Sequence, residues 1–105
     1  MQMTPAFAAL ADPHRLAIVA MLADGERPAG DFVQALPVAQ PTVSRHLSVL
    51  REAGLVRVRK AGVQRLYSLD PRPLAEIDAW LEPYRRFWSS KLDALEAHLD
   101  QEFPQ

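Results

Sequence analysis

The chain has 105 residues, 49% of them apolar and 24% charged, a formal charge of -1 and no cysteine. That length suits a single domain, residues 1–105, with a core of its own, and the balance of residues is that of a folded globular protein. The missing cysteines exclude disulfides, thiolate nucleophiles and thiolate metal sites, and no apolar run nears the roughly 18 residues of a membrane span or follows a basic leader, so the expected location is the cytoplasm with no membrane partner.

Pro5 to Ala11, with Phe7 and Leu10, suggests a short first helix. Asp12-Pro13 has the form of an N-cap followed by proline at the first helical position, and Gly25 stands where a left-handed residue would end a helix running from about 13 to 24. Leu16, Ile18, Val19, Met21 and Leu22 make that helix apolar nearly all round, which predicts a central, buried element. Ala29 to Leu36 forms another short helix, presenting Phe32, Val33 and Leu36 and ended by Pro37. Three residues then separate it from a longer helical stretch over about 40–53, a helix-turn-helix arrangement.

Past Gly54 the period changes to two. Val56 and Val58 alternate with Arg57 and Arg59, and a three-residue connection, Ala61-Gly62-Val63, leads into Gln64 to Leu69. Together they predict a β-hairpin over 55–69, closed by Asp70-Pro71. From Pro73 to Glu102 a long helix returns, its apolar residues Ile77, Leu81, Tyr84, Trp88, Leu92, Leu95 and Leu99 spaced to keep one continuous seam. Pro83 should kink that helix or start a second segment at Glu82.

At about 100° per residue, Val43, Leu47 and Leu50 share one arc of the 40–53 helix and should face the core. The opposite side carries Arg45, Ser48, Val49 and Glu52, with Thr42 and Ser44 at its edges and Gln40 at the start. Its N-terminal half is short-chained and polar, whereas a merely solvated helix favours Lys, Glu and Gln. Short side chains allow close approach to the major groove of DNA, where hydroxyls reach base edges and arginine grips guanine.

The charge distribution agrees. Residues 1–44 carry a net -2, residues 45–72 a net +5, and residues 73–105 a net -4. The basic island includes Arg57, Arg59, Lys60 and Arg65 on the hairpin, with Gln64 among them, so the ribbon is placed to meet the DNA backbone or minor groove. A second reading of those arginines is a charged edge that resists sheet-to-sheet aggregation.

The segments LADPHRLAIVAML (10–22), QPTVSRHLSVLREAGLVRVRKAG (40–62) and QRLYSL (64–69) resemble, in order and spacing, the second helix, recognition helix and wing of the ArsR-type (ArsR/SmtB) winged-helix repressors. The resemblance covers roughly residues 5 to 70. It implies a mainly α fold with a small β-hairpin, a winged helix-turn-helix of order ααααββα. It also implies a homodimeric repressor on a near-palindromic, inverted-repeat operator overlapping its own promoter, with the first and last helices forming the dimer interface. Phe7, Leu10, Leu81, Tyr84, Trp88, Leu92, Leu95 and Leu99 are the candidates for that interface, and 73–102 is the dimerisation helix. One departure is Ala39, where the family often has serine ahead of Gln-Pro-Thr and gains a helix N-cap.

The resemblance also directs attention to metal-sensing positions. In one known site the thiols fall within the segment matching Glu26 to Phe32, here on Pro28 and Gly30. In the other, Asp78 is followed by Trp80 where a histidine belongs, and the later pair falls near Lys91 and Ala94. His98 and Glu102 share a helix face but are too few for a zinc site from one chain. No metal or cofactor is expected. His14 reads as a capping or surface residue and His46 as a packing or phosphate-contact residue. No catalytic constellation stands out, so an enzyme is not expected.

Trp80, Tyr84, Phe87 and Trp88 crowd into nine residues of the last helix and read first as dimer contacts, with a small-molecule pocket as the alternative. The acidic groups Glu76, Asp78, Glu82, Asp93, Glu96 and Asp100 form that helix's solvated face. Two wider alternatives stay open: a winged module that docks another protein through its aromatic helix, and an RNA binder, although the wing lacks aromatic residues to stack on bases.

Overall fold

The computed structural model describes residues 3–102. In chain order the elements are α1 (Thr4–Leu10), α2 (Pro13–Leu22), β1 (Arg27–Pro28), α3 (Ala29–Ala35), α4 (Gln40–Glu52), β2 (Val56–Ala61), β3 (Gln64–Leu69) and α5 (Pro71–Glu102). The hairpin expected from sequence is part of a three-stranded antiparallel sheet of order β1-β3-β2. β1 escaped the sequence pattern because two residues cannot show a period. Its proline is tolerated because the strand lies at the sheet edge, with Arg27 opposite Tyr67 and Pro28 opposite Leu66.

α2 starts as its sequence dictates: Asp12 Oδ1 accepts from the backbone N–H of His14 at 2.8 Å and of Arg15 at 3.1 Å. It ends at Leu22, two residues before the expected end, and Gly25 takes a φ of 136° just beyond. Its burial is less complete than its composition suggests. Ile18 and Leu22 are enclosed, Val19 and Met21 are partly covered, and Leu16 is 52% exposed. A helix apolar on every side carries no sequence signal for which side faces out.

α4 packs against α1, α2, α3 and β2. Val43, Leu47 and Leu50 are buried as the wheel predicts, and His46 joins them. Val49 turns inward too and packs partly against the core, although the wheel assigns it to the outer face. The helix ends in a Schellman motif: Leu55 N–H donates to Leu50 O at 3.0 Å, Gly54 N–H donates to Arg51 O at 3.0 Å, and Gly54 takes a φ of 79°. Leu50 and Leu55 are both fully enclosed and supply the apolar contact that accompanies such an ending. At the other end Ala39 gives no side-chain cap.

The β2–β3 connection has two residues, Gly62 and Val63, and not three, since Ala61 pairs with Gln64. A positive φ of 65° at Gly62 alone matches a type II′ turn. α5 begins at Pro71, two residues earlier than the spacing suggests, and runs 32 residues without a break through Pro83. The missing N–H at Pro83 leaves the carbonyl of Ala79 without a helical partner, and Ala79 is exposed, so water can serve there. None of the described α5 residues is buried. The helix drives the longest dimension to 62 Å and the radius of gyration to 18.7 Å, against about 13 Å for a compact chain of this size.

Two substitutions test these endings. Gly54→Ala forces a side chain into the left-handed region and should lower stability by about 1 to 2 kcal/mol. Ala39→Ser, at an extended residue already placed for capping, should raise it by about 1 kcal/mol. Urea unfolding at fixed protein concentration, with an unchanged slope, measures both.

Candidate nucleic-acid interface

The enclosed face of α4 fixes the orientation of the other. Gln40, Ser44, Arg45 and Ser48 are exposed and Thr42 is half-exposed, so all five residues expected to recognise DNA open to solvent. Arg45 forms no ion pair among the described residues.

His46 helps to hold the buried face of α4 in place. Arg15 Nη1 lies 3.2 Å from His46 Nδ1, and a guanidinium can only donate, so Nδ1 accepts and the ring proton resides on Nε2. That Nε2 sits 3.9 Å from Asp12 Oδ1, and the His14 ring is 5.8 Å away, tilted. Arg15 Nε also donates to the Ala9 carbonyl at the end of α1. One arginine thus ties α1, α2 and α4 together. His46 is a packing residue in this arrangement, and its burial keeps it from reaching a phosphate. The Asp12 carboxyl is held below its ordinary value, chiefly by the backbone N–H of Arg15 and then by that of His14.

Ser48, Arg51 and Glu52 of α4 and Val56, Arg57 and Val58 of β2 line one open cleft of about 460 Å³, which sets the helix beside the wing. The wing cations expected to act alike divide into two sets. Arg59 forks onto Glu26 at 2.7 and 2.8 Å, which lowers the Glu26 carboxyl and raises the guanidinium, each chiefly through their hydrogen bond. Arg57 lies 3.2 Å from Asp70. Both arginines are engaged by carboxylates within the protein while their side chains stay largely exposed. Lys60 and Arg65, nearer the tip, are exposed together with Gln64, and neither cation has an ionic partner among the described residues.

Asp70, read from sequence only as the end of the hairpin, is the polar centre of this region. Its side chain is 6% exposed. It accepts from Arg72 Nη2 at 2.6 Å, from Arg72 Nε at 3.0 Å and from the Arg72 backbone N–H at 3.1 Å. Its own N–H donates to Leu55 O at 2.9 Å. The Asp-Pro pair that begins α5 is the signal that identifies it as an N-cap, the same signal read correctly at Asp12-Pro13. The Arg72 side chain, the Arg72 N–H and Arg57, in that order, hold its carboxyl far below the usual range.

Beyond Ile77, which packs partly against the core, the apolar arc of α5 is exposed in the single chain. Leu81, Tyr84, Trp88, Leu92, Leu95 and Leu99 are all exposed, as are Trp80 and Phe87. Phe7 of α1 meets Trp80 edge-on at 5.6 Å, and Trp80 lies 5.0 Å from Tyr84. Leu10, also among the residues expected at a dimer interface, is partly buried against the chain's own core. On the outer side of α5, Arg85 bonds to Asp78 at 2.8 Å and to Glu82 at 3.3 Å. Among the described residues no helix is long and apolar enough to cross a membrane, and no group of three or more His, Cys, Asp or Glu side chains is placed to hold a metal.

Residues 10–59 match a family described as a helix-turn-helix domain. An HTH-type transcriptional regulator of Mycobacterium tuberculosis is 44% identical over 97 residues, covering 92% of this chain and 88% of that protein. The arsenical resistance operon repressor of Escherichia coli is 45% identical over 75 residues, covering 70% of this chain and 61% of its own length. Among solved structures, an ArsR family transcriptional regulator superposes with a TM-score of 0.75 at 28% identity, covering 85% of this chain and 98% of the other. A possible transcriptional regulator for arsenical resistance gives 0.66 at 38% identity, covering 87% and 92%.

The Asp70 cluster predicts an acid limb in the stability curve. Because its carboxyl is harder to protonate folded than unfolded, its contribution is complete above the ordinary value of 3.8 and is lost as pH falls below it. Asp70→Asn should lower stability at neutral pH and flatten the decline below about pH 4. Urea midpoints from pH 7 down to about 2.5 measure this, and parallel curves for the two proteins would contradict it.

Proposed function

Because this chain belongs to the ArsR-type family of winged helix-turn-helix transcriptional regulators, we propose that it works as a homodimeric repressor on an inverted-repeat operator near its own gene. The observation that carries this reading is the two-sided construction of α4. One side is locked into the core by Val43, His46, Leu47 and Leu50, and the other presents Gln40, Thr42, Ser44, Arg45 and Ser48 to solvent. In that role the N-terminal half of α4 enters the major groove, Arg45 reads a base edge, and the hydroxyls read bases or fix phosphates. Lys60, Gln64 and Arg65 extend the contact along the duplex.

The dimer follows from α5. On a helix turning about 100° per residue, Trp80, Tyr84, Phe87, Trp88, Leu92, Leu95 and Leu99 fall within an arc of about 140°. A second copy of the chain covers this arc, with Phe7 of α1 contributing beside Trp80. Two recognition helices then meet successive major grooves about 34 to 36 Å apart, which sets half-sites about 10 to 10.5 bp apart. Docking to an unrelated protein through α5 is less well supported, because it leaves the exposed polar face of α4 and the unpaired cations of the wing without a role.

Titration of the DNA upstream of the gene should show affinity falling steeply with salt and discrimination against random duplex. Salt-insensitive binding, or equal affinity for random sequence, contradicts the reading. Arg45→Ala should cost about 1 to 3 kcal/mol and relax preference at one base pair, whereas Lys60→Ala should weaken all sequences alike. Trp88→Glu places a charge in the arc of α5 and should shift sedimentation from dimer to monomer, with operator affinity falling alongside. A wild-type monomer binding DNA equally well would remove the dimer from the proposal.

A further inference from the structure

The tip of the wing has a construction that its ion pairs do not account for. Lys60 and Arg65 are direct cross-strand partners, and like charges placed opposite one another weaken a ribbon unless an anion lies against them. Glu26 and Asp70 serve the arginines at the root of the wing, and among the described residues no carboxylate serves the tip. One step further out, the two-residue turn carries Val63, whose side chain is fully exposed. Turns are usually built from Gly, Asn, Asp, Ser or Pro, so an isopropyl group there is a local cost with no compensating contact inside the chain. Beside it Gly62 has open space where a side chain would begin.

We propose that Gly62 and Val63 form an apolar wedge that enters the minor groove of DNA, with Lys60 and Arg65 gripping its negatively charged edges, so that the wing selects A·T over G·C base pairs flanking the site read by α4. The inference rests on the proposed function and assigns the wing a specificity of its own. An isopropyl group gains nothing against phosphate oxygens in water, whereas the walls of the minor groove are sugar C–H surface. Paired strands lie about 4.8 Å apart and the groove is about 6 Å wide. The body of the ribbon with its side chains is too broad for it, and a turn with one residue lacking a side chain is narrow enough. The floor of the groove at a G·C pair bears the guanine amino group, which an isopropyl group meets sterically and cannot hydrogen-bond, while A·T pairs leave the floor clear.

The test uses the full chain and duplexes selected by it from a random pool. Wild type should prefer A·T at the flanking steps, and replacing G·C by inosine·C, which removes only the amino group from the minor groove, should restore most of the affinity lost to G·C. Val63→Ser, at a fully exposed position, should bind the selected duplex about fivefold more weakly with an unchanged salt slope, as expected for lost apolar contact. The Lys60→Ala, Arg65→Ala double variant should instead flatten the slope by about 1.8, near 0.9 for each phosphate released. Selected duplexes bound equally by wild type and Val63→Ser, or no recovery with inosine, overturn the wedge while leaving DNA binding by α4 intact. Failure of wild type to distinguish any selected duplex from random DNA removes the underlying reading as well.

Discussion

A single buried carboxylate holds three parts of this protein in fixed relation. The Asp70 N–H bonds to the carbonyl of Leu55, the residue that closes the Schellman ending of α4. Its side chain caps α5 through the Arg72 N–H and pairs with Arg57 on β2. Removing a carboxylate from water is costly, and only dense hydrogen bonding and nearby cations offset that cost. Asp70 has both, which explains why it stays ionised where it is. Without its side chain the first turn of α5 would lose its cap and its ionic tie to β2, leaving the backbone bond to Leu55 and the packing of Leu74 and Ile77 against the core.

The same accounting of charge makes sense of a chain that is slightly acidic overall. Seven of its thirteen carboxylates lie on α5, beyond the basic island in the chain. Of the six that lie elsewhere, Asp12, Glu26 and Asp70 are committed to helix caps and to the arginines of the wing, and Asp31 pairs with Arg27. These pairs stiffen the wing against the β1 edge and the start of α5. The cations that remain without ionic partners among the described residues include Arg45 on α4 and Lys60 and Arg65 at the wing tip, so uncompensated positive charge is concentrated on the surface proposed to meet DNA.

Much of this was legible in the sequence, and the failures have physical causes. The faces of α4 could be separated because apolar and short polar residues alternate with a helical period, and the wheel erred only at Val49, on the boundary between them. α2 gave no such contrast, so the exposure of Leu16 could not be read. β1 was too short to have a period and existed only through its pairing with Tyr67 and Leu66. Pro83 was expected to kink α5 or start a second segment, and no second segment starts there, since a helix with its adjoining carbonyl in water tolerates the loss of one bond. The division of the wing arginines was invisible because it depends on Glu26, 33 residues away from Arg59 along the chain. The exposure of the five positions proposed for recognition, by contrast, followed from a local pattern, since the exposure of a helix face is decided by what its opposite face buries.

These constraints converge on α5. Beyond Leu74 and Ile77, which pack partly against the core, this 32-residue helix gains little from its own chain, and its propensity alone cannot hold an exposed aromatic arc in water. Its stability therefore belongs to the proposed dimer. Yet its first turn is bolted through Asp70 to the wing and to the end of α4, so whatever geometry the paired α5 helices adopt is transmitted to the separation and tilt of the two recognition helices. Groove spacing on DNA tolerates little error, because a recognition helix displaced from one major groove meets phosphate and not bases. In the proposed repressor the apolar seam of α5 and the polar face of α4 are thus parts of one device: the seam supplies the second copy of the face, and the buried carboxylate between them sets where that copy lies.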